Sequence, residues 1–304
     1  MKKLDVNLHK GDMLQGKWNG RTYTIIRELG SGACGTVYLC KDSQGEKYAL
    51  KIGGDSSRVM LEVNMLKKFS KVQGVKLGPS FVDVDDWEVR GKGVYPFYVM
   101  EYVEGKSVRE FMRGRTKDWI GICALQLLTD LDHLHRAGYV FGDLKTDNLL
   151  VEKARIRWID VGGVTPIGRA IKEYTEFYDR GYWGRGSRKA DAAYDLFAVT
   201  MIMMEMVYPK RFSKGTDPVK VLESKLHAAI PLKPYRSVIL GIWKGRYSSA
   251  GEVTRDLKRV LMHPGRSGSS RRRGKRMASE TSEVLAFSCF VMAFFGVSIF
   301  SFWM

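Results

Sequence analysis

The segment Phe141-Gly142-Asp143-Leu144-Lys145-Thr146-Asp147-Asn148, followed after a short β-rich run by Asp160-Val161-Gly162, gathers carboxylates, an amine and an amide suited to handling phosphate. Upstream, Tyr48-Ala49-Leu50-Lys51 closes an apolar strand on a lysine. Burying that ammonium is costly unless an anion neutralises it, which points to the phosphates of a nucleotide. Eleven residues on, Glu62 lies in the helical run 56–69, where it either holds Lys51 in an ion pair or is a solvated surface glutamate. Ahead of both, Gly30-Ser31-Gly32-Ala33-Cys34-Gly35-Thr36-Val37 carries a GxGxxGxV pattern, whose glycines let backbone N–H groups approach phosphate oxygens closely. A dinucleotide fold requires a helix directly after the third glycine. Thr36-Val37-Tyr38-Leu39 is instead alternating and β-branched, so the glycines join two strands; taken alone they read equally well as an ordinary hairpin turn.

The chain has 304 residues, 44% apolar and 27% charged, enough to bury a large core. Its 50 basic and 33 acidic residues give a net charge of +17, which favours anionic partners such as nucleotides, nucleic acid or acidic lipid headgroups. Cys34, Cys40, Cys123 and Cys289 form no CxxC pair, which excludes a disulfide scaffold and a structural zinc site and fits a reducing compartment. The histidines form no HExxH and no GxSxG elbow occurs, so zinc proteases and nucleophilic hydrolases are excluded. His133 and His135 lie two apart on a helix, face different ways and read as structural. No repeat of roughly 20 to 50 residues is present, which removes solenoids and propellers.

Residues 284–304 contain no charge and no proline and as a helix reach roughly 31 Å, about one hydrocarbon core, so they predict a transmembrane span. The stretch before it is rich in Gly, Ser and Arg, with Arg271, Arg272, Arg273, Lys275 and Arg276, and predicts a basic linker that keeps the preceding residues in the cytoplasm. This cluster either binds anionic lipid or serves only as a topology signal. The charged N-terminal stretch is no secretory signal, so membrane targeting is expected to use the tail.

Between these ends, β-rich runs at 23–29, 36–41, 47–52, 81–84 and 97–102 precede helical periodicity at 119–136, 190–208 and 249–261. Strands first and helices later predict an α+β protein of two lobes.

With the glycine loop, Lys51, the Asp143 segment and Asp160-Val161-Gly162 in this order and spacing, the chain resembles the Hanks-type (eukaryotic-like) protein kinases over residues 21–262. The resemblance implies a bilobal fold: an extension at 1–20, a β-rich N-lobe at 21–103, a helical C-lobe at 104–263, a juxtamembrane linker at 264–283 and a membrane helix at 284–304. It implies ATP held by Gly30, Ser31, Gly32, Gly35, Val37, Ala49 and Lys51, with Met100 as gatekeeper and the backbone of Glu101-Tyr102-Val103 pairing with adenine. Lys51 and Glu62 would form an ion pair, Asp143 would take or orient the proton of the attacking hydroxyl, and Lys145 would steady the transferring phosphoryl group. Asn148 and Asp160 would hold Mg²⁺, or Mn²⁺ in its place. Asp195 matches the aspartate that braces the catalytic loop, and lysine at 145 looks like the serine/threonine branch, whose partners are protein substrates. A C-terminal span without an extracellular sensor is similar to the small tail-anchored kinases of spore-forming bacteria.

The pattern also departs from that family. Phe141-Gly142 stands where His-Arg is usual, a non-RD arrangement that removes the arginine pairing with a phosphorylated activation loop. Thr175-Glu176-Phe177-Tyr178 resembles a substrate-binding segment, yet no Ala-Pro-Glu follows, so Arg246 needs another partner, for which Asp179 is the candidate. Val161 replaces phenylalanine, which predicts looser packing there. Autophosphorylation is expected at Thr165, Thr175 or Ser269. The rival readings are a pseudokinase scaffold, a small-molecule phosphotransferase and a membrane-tethered DNA or lipid binder.

Overall fold

Alternation of apolar and polar residues over the first hundred positions builds an antiparallel sheet in the computed structural model, which describes residues 7–32, 35–69, 77–208 and 210–262. The strands are β1 (Met13–Gln15), β2 (Thr22–Gly32), β3 (Gly35–Lys41), β4 (Lys47–Ile52), β5 (Phe81–Val89) and β6 (Gly93–Glu101), in the order β1-β2-β3-β4-β6-β5. Helix α1 (Ser56–Phe69) connects β4 towards β5. Along β4, the period of two sends Leu50 and Ile52 into a core with Leu14, Tyr23, Ile25 and Phe97, and turns Ala49 and Lys51 to the opposite face. On that face Val59, Val63 and Leu66 of α1 join a larger core that continues into the helical lobe.

After β6 come β7 (Lys106–Ser107), α2 (Val108–Met112), α3 (Asp118–Arg136), β8 (Tyr139–Val140), the hairpin β9 (Leu149–Glu152) and β10 (Arg155–Trp158), and β11 (Thr165–Pro166). Four helices follow: α4 (Ala192–Val207), α5 (Pro218–Ala228), α6 (Arg236–Trp243) and α7 (Ala250–Met262). In α3 the buried residues Ile120, Ala124, Leu127, Leu131 and Leu134 recur at helical spacing, each large one contributing about 2 kcal/mol of burial. Helix α4 starts where Asp191 accepts a hydrogen bond from the Tyr194 N–H. From Tyr194 to Met204 it is buried on every side, which makes it the axis of the lobe.

A strand-rich lobe followed by a helical one agrees with the two-lobed α+β expectation. The expected membrane span and basic linker lie outside the described residues; among the described residues no helix is long and apolar enough to cross a membrane.

One strand exceeds its sequence signal. β5 runs past the expected 81–84 to Val89, carrying Asp83, Asp85 and Asp86. Their charges are taken up by the N-terminal stretch: Asp85 accepts from the Trp18 and Asn19 N–H groups at 3.1 and 2.9 Å, and Asp83 from Asn19 Nδ2 and the Tyr23 hydroxyl at 2.9 and 2.8 Å. The same contacts dock that stretch on the sheet, where β1 pairs with β2 and Leu14 is fully buried.

Candidate active site

Antiparallel pairing of Ser31 with Thr36 and Gly32 with Gly35 makes the glycine segment a hairpin between β2 and β3; its tip, Ala33–Cys34, lies outside the described residues. Gly35 has φ +133°, and a Cβ there would come 2.1 Å from the Ile52 carbonyl oxygen, so the close return of the hairpin over β4 requires glycine. Beneath it, Val37 pairs with Lys51 and Ala49 with Met100, which lines up the gatekeeper, the strand lysine and the hairpin in register. The backbone of Val103 makes no backbone hydrogen bond among the described residues, leaving its N–H and C=O open to a planar base. The Glu101 side chain turns elsewhere: it accepts from Ser80 N at 3.0 Å and from Arg157 at 3.2 Å.

Lys51 and Glu62 are both buried and meet at 2.7 Å, which removes the surface-glutamate reading. The Tyr98 hydroxyl donates to the same Glu62 oxygen at 2.7 Å. Two charge-assisted donors on one carboxylate hold α1 against the sheet and offset the cost of burying the pair. Glu62 also reaches Gly162, where a Cβ would lie 3.1 Å from Oε1, so the strand lobe touches the Asp160 motif.

The catalytic segment leaves β8 and is fixed from below. Asp195, fully buried on α4, accepts from Phe141 N at Oδ2 (2.7 Å) and from Gly142 N at Oδ1 (3.0 Å), and His135 Nε2 lies 2.9 Å from the same Oδ2. Gly142 has φ +82°, and a Cβ there would meet the Gly163 carbonyl oxygen at 2.6 Å. A side chain there is strained and must displace backbone, which gives the Phe-Gly sequence a steric reason. A short 3₁₀ turn, Thr146–Asn148, then delivers Asn148, whose Nδ2 donates to the Asp143 carbonyl at 2.9 Å. The β9–β10 hairpin starts at Leu149 and returns at Trp158, directly opposite, and Ile159 N donates to Asn148 O at 3.0 Å. Asp160 therefore emerges beside Asn148, with its Oδ1 accepting from Gly162 N at 2.8 Å. Helix α3 clamps the hairpin: Gln126 donates to Ala154 O and accepts from Ile156 N, and Asp130 pairs with Arg155 at 2.6 Å.

On the open side, Lys145 Nζ lies 2.5 Å from Asp143 Oδ2, while the Thr175 hydroxyl donates to Asp143 Oδ1 at 3.1 Å and accepts from Lys145 at 3.3 Å. A carboxylate, an ammonium and a hydroxyl thus converge at one point, the arrangement needed to receive an alcohol and neutralise charge on a group it attacks. Asn148 and Asp160 offer hard oxygen donors without nitrogen or sulfur ligands, which fits a hard divalent cation completed by phosphate oxygens; among the described residues no cluster of His, Cys, Asp or Glu makes a separate metal site.

Residues 23–261 match the protein kinase domain family. The chain is a bacterial Hanks-type serine/threonine protein kinase. It is 48% identical over 257 residues to serine/threonine-protein kinase YabT of Bacillus subtilis, covering 84% of this chain and 76% of that protein. It is 25% identical over 252 residues to the probable serine/threonine-protein kinase YbdM of the same organism, covering 79% and 89%. A rice protein, cyclin-dependent kinase G-2, is 28% identical over 230 residues, 70% of this chain and 31% of its own length. The kinase uses ATP and a divalent metal ion and acts on proteins, which sets aside the scaffold and small-molecule readings.

Several expectations need correction. Arg246 bonds to the Ser237 carbonyl at 2.9 Å and not to Asp179; Asp179 is fully buried and taken by Arg188, Tyr194 and the N–H groups of Gly181 and Tyr182. Thr165 is fully buried and donates to Gly163 O, so it is no accessible acceptor. Val161 is buried, and a Cβ on neighbouring Gly78 would come 3.2 Å from its Cγ1, so packing there is tight. His135 is structural in a specific sense, as a support for Asp195; Tyr98 had no signal in the sequence at all. Cys40 and Cys123 are free and buried, and burial pushes both thiols to about 12, which leaves them inert. Cys34, Cys289 and Ser269 lie outside the described residues.

Proposed function

We propose that this kinase is Mg²⁺-dependent and transfers the γ-phosphoryl group of ATP to serine and threonine hydroxyls of proteins through Asp143. The observation that carries this is the convergence of Lys145, Asn148 and Thr175 on Asp143, each within hydrogen-bonding distance of it. Asp143 accepts the hydroxyl proton, Lys145 neutralises charge beside it, and Lys51, held by Glu62, takes the phosphates. Asn148 and Asp160 would hold the Mg²⁺, which would supply charge neutralisation at the phosphates. Labelled-ATP transfer to a serine peptide falls by about a thousandfold in Asp143→Asn while the fold is retained; equal rates for the two proteins would reject the assignment.

The non-RD reading gains support from the way the activation segment is held. Glu173 pairs with Arg58 on α1, and the Arg188 guanidinium lies 4.0 Å from the Tyr174 ring centre, so encoded charges occupy this segment without a phosphate. Autophosphorylation is proposed at Thr175, whose hydroxyl already touches Asp143, and at Ser269.

The charge-free run at 284–304 behind a basic linker supports a single-pass anchor in the cell membrane with the catalytic lobes in the cytoplasm. Recovery of the full chain in a carbonate-washed membrane fraction tests this, and recovery in the soluble fraction would reject it. The net charge of +17 favours a second contact, with anionic lipid or nucleic acid, through the basic surface.

A further inference from the structure

Beside the catalytic loop, α2, the Thr146–Asn148 turn and the end of α4 enclose a groove of about 980 Å³. Its charged lining is Arg109, Arg113, Asp147, Glu205, Lys210 and Arg211. Four cations face two carboxylates, and those carboxylates are not free. Arg211 donates from Nε to Glu205 at 2.9 Å and from Nη2 to Asp147 at 2.8 Å, while Thr146 and Tyr178 also donate to Glu205. Glu205 is nearly buried in this network, with 7% of its side chain exposed. The side chains of Arg109, Arg113 and Lys210 are exposed; the Ser107 hydrogen bonds, with nearby Arg113 adding to them, lower the pKa of the Glu110 carboxyl, and Glu110 is outside the groove lining. Arg109 is the second residue of α2 and Arg113 caps its C-terminal end, and both line the groove.

The groove adjoins the point where an acceptor hydroxyl would sit, because Thr146 and Asp147 follow Lys145 directly and Tyr178 ties Thr146 to the Thr175 segment. A chain presenting a serine to Asp143 must run past these side chains. Its flanking residues meet exposed cations and carboxylates already neutralised from within.

We propose that this groove selects acidic side chains flanking the acceptor serine or threonine of protein substrates, with Arg109, Arg113 and Lys210 as the selecting cations. Arg211 is the residue that withdraws Asp147 and Glu205 from competing for a basic flank. The proposal rests on the assignment of Asp143 as the group that receives the hydroxyl.

Two fluorescent peptides test it, identical except that one serine is flanked by glutamates and the other by lysines. Their binding to the full chain is read by anisotropy, which needs no turnover. Wild type binds the Glu-flanked peptide about tenfold tighter. Arg109→Glu with Arg113→Glu erases or inverts that ratio, and Arg211→Ala raises affinity for the Lys-flanked peptide by uncovering two carboxylates. The charge-matched control Arg90→Glu with Lys92→Glu, on the β5–β6 turn, keeps the preference. Equal binding by wild type, a preference surviving reversal of Arg109 and Arg113, or one lost equally in the control would overturn the proposal. Loss of phosphoryl transfer with the acidic preference intact counts against the Asp143 assignment and leaves the groove assignment standing.

Discussion

On the nucleotide side of the catalytic loop, charges come in pairs, the buried Lys51 with Glu62 and the half-buried Arg157 with Glu101, whereas on the side that faces α2 the cations Arg109, Arg113 and Lys210 are exposed along a groove. The contrast separates two kinds of work. The first side meets the same nucleotide in every turnover, so its groups are preorganised by one another and by Tyr98. The second meets whatever protein docks, and it keeps its charge for that encounter.

This division can be broken, and the largest effect comes from the residue between the two sides. Gly142→Arg places a side chain at φ +82° against the Gly163 carbonyl. Urea unfolding is expected to show a loss of about 3 kcal/mol, with activity reduced and no response to a phosphomimetic activation segment. A stable variant that gains such a response would show that glycine here is incidental.

Next in size is the pH dependence of the clamp behind the metal side. Burial raises the Asp130 carboxyl to about 6, opposed by Arg155, against about 3.9 in an unfolded chain. Between these values the folded state holds the proton more tightly, so this group's contribution lowers stability as pH rises from about 4 to 6 and is constant above. The stability of Asp130→Asn relative to wild type should therefore rise with pH through that window, by about 3 kcal/mol in all, and then level off. A difference that stays flat would mean that Asp130 is ionised throughout. The smallest effect sharpens the comparison. Tyr98→Phe removes one donor to Glu62, worth about 1 kcal/mol, and should raise KM for ATP several-fold while leaving KM for peptide unchanged. A shift in the peptide KM would blur the two sides into one.

The nucleotide side was the legible one. Lys51, Glu62, Asp143, Asn148 and Asp160 are residue types that phosphate chemistry demands, and the strand and helical periods around them carry plain signals. Asp195 was readable by resemblance, but the two N–H groups it receives were not. What stayed hidden depends on contacts between distant stretches. Charged Asp85 and Asp86 carry the strand beyond 84, where Trp18 and Asn19 supply donors. Arg211 lies beyond α4 and meets Asp147 only in the folded chain. Thr165 looked like an accessible hydroxyl until β11 paired with β8 and buried it.

The β9–β10 turn consists of Lys153 and Ala154 alone, both at positive φ although neither is glycine. The chain accepts that local cost because the turn acts as a spacer: with two residues, Leu149 and Trp158 fall opposite each other and Asp160 emerges beside Asn148. One added residue would slip the ladder and swing the aspartate to the wrong face. Length, not only backbone geometry, is what this bend must keep.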